Sequence, residues 1–393
     1  MRFAWFGLIV LASVAVPSVA RALPAFARAY QVPCSTCHAT IPVRNEFGEI
    51  FRRNGYRWPG ELDVDARARK PEPLPMLGIG FMDATFPLVV PVAFIGTFGA
   101  SYSNDDELEH PIGFGSPSLK VMLGTTLGEH AALFTEWTGS GAPNRLFVHL
   151  TRLANRRELN VIIGRFEPTT TLLRANDSYF DTFAVSGSPV DGHVLGQGRN
   201  GLEVNGVLWK RGFYAVGMVQ NAGADSNFDA YYHASLKLGG ANWLGEEPDI
   251  DLEETSWVDD ISVELAQWGY YGLSGDFGVP GYELRRVGGD IRFGFRALRL
   301  RNGVMLGADV DRRVDLTNRS ITNTTELSYG VTAWLTVAGQ IDYQDAAAAR
   351  SAFTQYQLGL LALAFENVRA RLAMGYADDD DSLFGSLQLL VGI

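Results

Sequence analysis

The chain has 393 residues, with 33 basic against 44 acidic side chains and a net charge of −11. That balance excludes a protein that tracks nucleic-acid phosphates, which needs a basic face, and it gives the exposed surface a field that draws cations. Hydrophobic residues reach 47%, aromatics 11% and glycines 43 in number, yet no long apolar run follows residue 20 and few amphipathic helices can be drawn. An ordinary soluble domain of this apolar content would show them.

Residues 1–22 read as a secretory signal. Arg2 supplies the positive start, residues 3–20 carry no charge, and small residues then stand at cleavage spacing, as Ser18-Val19-Ala20 or Ala20-Arg21-Ala22. Pro17 and an uncharged stretch shorter than ~20 residues argue against a membrane-spanning helix. The mature chain is expected to begin near Leu23, outside the cytoplasm. With no second apolar span, any membrane crossing must be made by strands.

The two cysteines fall in Pro33-Cys34-Ser35-Thr36-Cys37-His38. Covalent haem attachment needs two thiols a short turn apart for the two vinyl groups. It then needs an imidazole directly afterwards to reach the iron from the same side. Cys34 and Cys37 are therefore the expected thioether anchors of one haem c, and His38 its proximal ligand. A plain disulfide would not call for His38, and a thioredoxin-like pair belongs to a βαβ context absent here.

Residues 45–54 place Phe47, Ile50 and Phe51 on one stripe of a short helix, with Gly55 as its C-terminal cap. That stripe is read either as a wall of the haem pocket or as a face packed on the long second part of the chain. Residues 23–75 are expected to form a small α-helical, monohaem cytochrome c-like domain and linker. So few residues cannot bury an adequate core alone, and a covalently held macrocycle would supply one. No histidine or methionine follows His38 before Pro75. Met76 is the candidate distal ligand by position, with Met82, His110 or an open sixth position as alternatives; a thioether opposite histidine would raise the potential.

Residues 76–393 alternate with period two. Val331, Ala333, Leu335, Val337, Ile341 and Tyr343 interleave with Thr332, Thr336, Gln340 and Asp342. Ile291, Phe293, Phe295 and Ala297 interleave with Asp290, Arg292, Gly294 and Arg296. Val368, Ala370, Leu372, Met374 and Tyr376 interleave with Arg369, Arg371, Ala373 and Gly375. One face suits lipid and the other a wet lumen, as in a transmembrane antiparallel β-barrel. About twenty residues per strand and connection gives ~16 strands, with 14 the rival count. The final strand carries Leu387, Leu389, Val391 and Ile393, whereas outer-membrane barrels more often finish on Phe.

After Gly164-Arg165-Phe166-Glu167-Pro168 closes one strand, residues 176–198 break the alternation. They are read as an external loop or one folded inward. Three acidic stretches, 105–109, 246–254 and 378–381, are solvated connections or, on a sharper reading, recruit cations at a mouth.

Ala25-Phe26-Ala27-Arg28, Cys34-Ser35-Thr36-Cys37-His38, Asn45-Glu46-Phe47-Gly48 and Asn54-Gly55-Tyr56 together resemble the opening of the fused outer-membrane cytochrome-porins. The resemblance is specific over residues 23–82 and architectural beyond. It implies an outer-membrane, monohaem cytochrome-porin that transfers electrons between an extracellular donor, ferrous iron being one candidate, and periplasmic carriers such as a soluble cytochrome. Its contacts would be outer-membrane lipid, that carrier and an extracellular metal ion donor, with the haem domain periplasmic or inside the lumen. An Fe(II) oxidase activity would fall under this reading. The alternative is a passive porin whose haem domain is a plug or gate. A peroxidase-like enzyme would need an open iron position and a distal acid–base residue, for which no constellation near the motif speaks.

Overall fold

A computed structural model of the protein describes residues 25–30, 32–59, 92–104, 112–127, 130–139, 141–180, 183–187, 194–220, 227–245, 261–273, 281–312, 314, 316–346, 352–365, 368–379 and 381–392. The expected signal peptide, Met76, Met82, His110 and the acidic stretches 105–109 and 246–254 lie outside these residues.

Within the first part, helix α1 (Ala25–Tyr30) is followed by a 3-10 turn at Cys34–Thr36. A two-stranded antiparallel ribbon, β1 (His38–Thr40) with β2 (Val43–Arg44), leads into helix α2 (Glu46–Arg53). The two helices have six and eight residues, and residues 60–75 of the expected domain lie outside the described ones. Tyr30, Phe47 and Phe51 form its small core.

Sixteen strands, from β3 (Val92–Ser103) to β18 (Ser382–Gly392), then run up and down and close into one barrel by antiparallel pairing of β18 with β3. Closure leaves no strand edge unpaired, which a membrane demands of any sheet that crosses it. Among the described residues no helix is long and apolar enough to cross a membrane; the strands supply the crossing.

The alternation sorts as a lipid-embedded barrel requires. Along β17 (Val368–Ala377), Arg369 and Arg371 are 3% exposed, whereas Leu372 and Met374 are 51% and 60% exposed on the outer face. Leu387 and Leu389 of β18 also face outward. Apolar outside and charged inside is the reverse of a soluble sandwich. Two of the expected runs extend too far. Phe295 ends β12 (Tyr282–Phe295), and 296–297 is the turn into β13 (Leu298–Asp311). Residues 331–334 likewise form the turn between β14 (Leu316–Gly330) and β15 (Leu335–Ala346), where the Val331 and Thr332 N–H groups both donate to Leu335 O. Alternation alone does not mark a reversal, because a turn can continue it by chance.

The irregular stretch between β7 (Asn160–Phe166) and β8 (Arg199–Leu208) folds inward. A loop inside a barrel must find acceptors for its backbone N–H groups, and carboxylates on the inner wall provide them. Leu172 N donates to Asp290 Oδ2 at 2.7 Å, Ala184 N to Asp342 Oδ1 at 3.0 Å and Tyr179 N to Glu326 Oε2 at 3.4 Å. Ala184 begins the one-turn helix α3 (Ala184–Gly187). Leu173 and Phe183 of this loop are fully buried.

Residues 25–59 also sit against the inner wall. On β10 (Phe228–Gly239), Lys237 pairs with Glu46; on β11 (Ser262–Leu273), Glu264 receives Arg53 Nη2 at 2.6 Å. Arg299 of β13 donates to Arg44 O at 2.9 Å, and Arg369 of β17 donates to Ile41 O. Tyr56 stacks on Phe134 of β5 (Ala131–Thr138), ring centroids 5.4 Å apart, beside Phe147 of β6 (Arg145–Leu150). These contacts reach the wall from several sides of the ring, so the segment plugs the half of the lumen nearest the rim where β3 begins.

Candidate functional site

The site begins with Asn45. Its backbone N–H donates to Cys37 O at 3.0 Å, and its Nδ2 donates to Ser35 O and Thr36 O at 2.9 Å each. The same side chain caps α2, its Oδ1 accepting from Gly48 N at 2.9 Å. One residue therefore clamps the Cys34–Cys37 turn to the start of the helix. Gly48 lets the two approach, since a Cβ there would lie 2.1 Å from Cys37 O. At the other end, Gly55 has φ +71°, and Tyr56 N donates to Phe51 O at 2.9 Å while Gly55 N donates to Arg52 O at 3.1 Å. This is a Schellman closure, as the sequence predicts.

Cys34, Cys37 and His38 all line one cavity of about 430 Å³ enclosed by plug, inner wall and inward loop, within the ~300–1,000 Å³ range typical of ligand pockets. The two thiols are not bonded to one another. Burial and the neighbouring Cys34 push the Cys37 thiol up to about 12. His38 Nδ1 donates to Pro42 O at 3.1 Å, which fixes the orientation of the ring. Burial and the Arg44 charge lower its pKa to about 4, with Asp177 opposing. The ring is thus held as the neutral imidazole.

The rest of the lining suits a large, flat, mostly apolar group with anionic edges. Phe26, Phe51, Phe134 and Phe147 supply aromatic surface. Arg145 and Arg174 share the single carboxylate of Glu167, the latter at 3.3 Å, and Arg174 Nη1 is buried without a hydrogen-bond partner. Two guanidiniums on one carboxylate leave cationic donors for an anionic group. Among the described residues, no group of three or more His, Cys, Asp or Glu is arranged to hold a bare metal ion.

The residues of the α2 stripe pack in different directions. Ile50 packs on the barrel with Val207, Phe213 and Trp243, Phe47 packs within the plug, and Phe51 faces the cavity. Of the acidic stretch 378–381, Asp378 accepts from Thr354 N at 2.5 Å and Asp381 from Tyr376 OH at 2.8 Å. Both bonds shape the turn, in keeping with a solvated connection.

Sequence reasoning missed the Asn45 clamp, Asp177 and Met122, which also lines the cavity. Asn45 was readable as a helix cap. Asp177 and Met122 join the site only through the closure of the barrel, which leaves no local signature.

No protein-family model matches the chain, and no curated protein matches it. Solved structures do match in fold. The anion-selective porin from Comamonas acidovorans aligns over 77% of this chain and 98% of its own, with a TM-score of 0.54 at 12% identity. The outer-membrane OmpT of Vibrio cholerae aligns over 77% and 97%, also with a TM-score of 0.54 at 12% identity. A porin structure refined at 1.8 Å aligns over 77% and 99%, with a TM-score of 0.51 at 12% identity. The likeness concerns the barrel: the chain has the closed sixteen-stranded fold of outer-membrane porins.

Proposed function

We propose that the protein is an outer-membrane barrel plugged by a monohaem c-type segment, which passes electrons between an extracellular donor and a periplasmic carrier. The observation that carries this reading is the convergence of Cys34, Cys37 and His38 on one cavity inside the barrel, with His38 Nδ1 engaged by Pro42 O. Haem c bound there would supply a one-electron couple. The protein's own residues do the rest. Cys34 and Cys37 would anchor the group, His38 would hold its iron, and Arg145 and Arg174 would steady its carboxylates. Phe26, Phe51 and the inward loop would keep bulk water from its faces, which tunes the potential.

The second reading is a passive porin whose N-terminal segment is a plug or gate. The fold likeness to solved porins supports this reading directly and says nothing for electron transfer. It asks nothing of the cysteines, which is where the two readings part.

The test uses purified protein in liposomes, with haem absorption recorded while ferrous iron is added outside only. Reduction of the haem, absent in Cys37→Ala, is expected for electron transfer. A haem that dithionite reduces but external iron and other small external donors do not would favour the passive plug. Solute conductance indifferent to haem redox state would do the same. Protein matured with its haem-attachment machinery that carries no haem would end the proposal.

A further inference from the structure

On β11, β13 and β14 three carboxamides point out of the barrel. Gln267 alternates with the buried Ala266 and Trp268, Asn302 with Arg301 and Gly303, and Asn323 with Thr322 and Thr324. Along each strand the neighbouring outward positions are apolar, among them Leu265, Leu300, Val304, Ile321 and Leu327. The outer face of a membrane barrel is an apolar band, and a polar group that meets hydrocarbon without a partner is costly there.

Part of that need is met within the wall. Asn302 Nδ2 donates to Thr325 Oγ1 at 2.8 Å and to Thr324 O at 3.2 Å. Thr325 Oγ1 donates to Asn323 Oδ1 at 3.3 Å. Gln267 Nε2 donates to Tyr232 OH at 2.6 Å, and its other contact, Trp268 O, is 3.4 Å away. Among the described residues no donor reaches Asn302 Oδ1. The wall therefore shows the bilayer an open acceptor on β13 and a weakly engaged N–H on β11.

The stagger of the strands sets their depths. Register leads from Leu298, the first residue of β13, through Tyr329, Val337 and Leu360 to Leu372, the fifth residue of β17. Both strands start from turns of the same rim, so each step to the next strand climbs about one residue from that rim. Gln267 is in register with Gly289 of β12, and Gly289 with Val304 of β13. Two strands back from β13, Gln267 then lies level with Asn302. Gly289 stands between them, and a Cβ there would meet nothing nearer than Ala266 O at 3.7 Å.

We infer that this face of β11 to β13 is a contact surface for a second copy of the chain, related by a two-fold axis along the membrane normal near Gly289. Such an axis sets Gln267 of each copy opposite Asn302 of the other at one depth. The amide N–H of one meets the open Oδ1 of the other, and the bond is made twice. The bare Gly289 positions let the two walls approach closely. Lipid tails carry no donor, and a soluble protein does not enter the bilayer. A second copy brings both halves of the pair by itself. The contact lies on the outer wall and holds under either reading of the plug.

The experiment places a photo-cross-linking phenylalanine analogue at Val304 of full-length protein in lipid vesicles, with the same group at Leu387 on β18 as control. Ultraviolet light is expected to give a covalent pair from Val304 and none from Leu387. Gln267→Leu and Asn302→Leu suit the apolar band and should keep a heat-resistant barrel. Each should lower the paired yield roughly five-fold or more. Mixed together, the two variants should recover part of it, because only the mixed pair retains one of the two bonds. Unchanged yield in both variants overturns the inference. So does pairing through Leu387, or cross-links from Val304 to lipid or to a different protein alone. No recovery on mixing overturns the two-fold arrangement.

Discussion

The backbone N–H of Arg44 donates to Asp177 Oδ1 at 2.7 Å, joining residues 133 positions apart. Asp177 Oδ2 accepts in addition from Arg301 Nη1 at 3.1 Å, and the Arg44 guanidinium lies 3.7 Å from it. One carboxylate on the inward loop thus ties the plug to the loop and both to β13. The motif-bearing ribbon is held from above as well as from the wall.

Replacing Asp177 with Ala removes that shared acceptor and leaves Arg44 N–H buried without it. Loss of charged hydrogen bonds of this kind costs ~1–3 kcal/mol. Proteolytic cleavage within residues 25–59 is expected to accelerate, with Asp177→Asn intermediate because an amide oxygen still accepts. A cleavage rate equal to wild type would show that the loop does not hold the plug.

Glu49 sets an acid limit on docking. Burial alone would raise its carboxyl, but Arg44, Arg52, Arg292 and Arg53 outweigh burial and hold it well below the usual carboxylate range. A group depressed in the folded state adds stability above its unfolded value and loses it as pH falls through the folded one. Docking should therefore be constant from neutral pH down to the ordinary glutamate range and weaken only below it. Tryptophan fluorescence across an acid titration reads this, because Trp243 lies against Arg53 of the plug at 3.7 Å. An acid response that persists unchanged in Glu49→Gln would assign the effect elsewhere.

The turn that carries the cysteines should be sensitive to residues that never touch them by side chain. Asn45→Ala loses a helix cap worth ~1 kcal/mol and frees Ser35 O and Thr36 O together. Gly48→Ala forces a methyl against Cys37 O. On the haem reading, both variants are expected to insert as barrels yet carry less covalent haem per chain, measured by pyridine haemochrome. Full haem loading in both would show that the turn forms without the clamp.

The two faces of β17 offer a paired test. Leu372→Arg puts a charge on the lipid face and is expected to cost ~2–4 kcal/mol near the bilayer midplane, read from denaturant unfolding in lipid vesicles. Arg371→Leu leaves the lipid face alone and removes the donor to Tyr179 O at 3.0 Å. It should loosen the inward loop while the barrel keeps its resistance to denaturant.

The barrel was legible because its signal is local. Arg369 and Arg371 inside against Leu372 and Met374 outside is a pattern that a few neighbouring residues display. The helix with its Asn45 and Gly55 ends was legible for the same reason. The docking was not: Arg53 and Glu264 are 211 positions apart, and nothing in either neighbourhood marks the other as its partner. The inward course of the loop after Phe166 was open for the same cause, since the carboxylates that receive it, Asp290, Glu326 and Asp342, look in sequence like any lumen-facing residues. Met122 sits in a strand among wall residues, so only the closed ring shows which cavity it lines.

Arg369 meets Ile41 across 328 positions, and the other wall partners of the plug are spread from β5 to β17. The segment that precedes the barrel in the chain is thus among the last to find its place, because its seat does not exist until the final strands have joined the ring. On the haem reading, attachment, which needs Cys34 and Cys37 accessible, would belong to the interval before that seat closes. Any chemistry on the two thiols would then come before closure, because a chain whose barrel has closed has sealed Cys34 and Cys37 inside it.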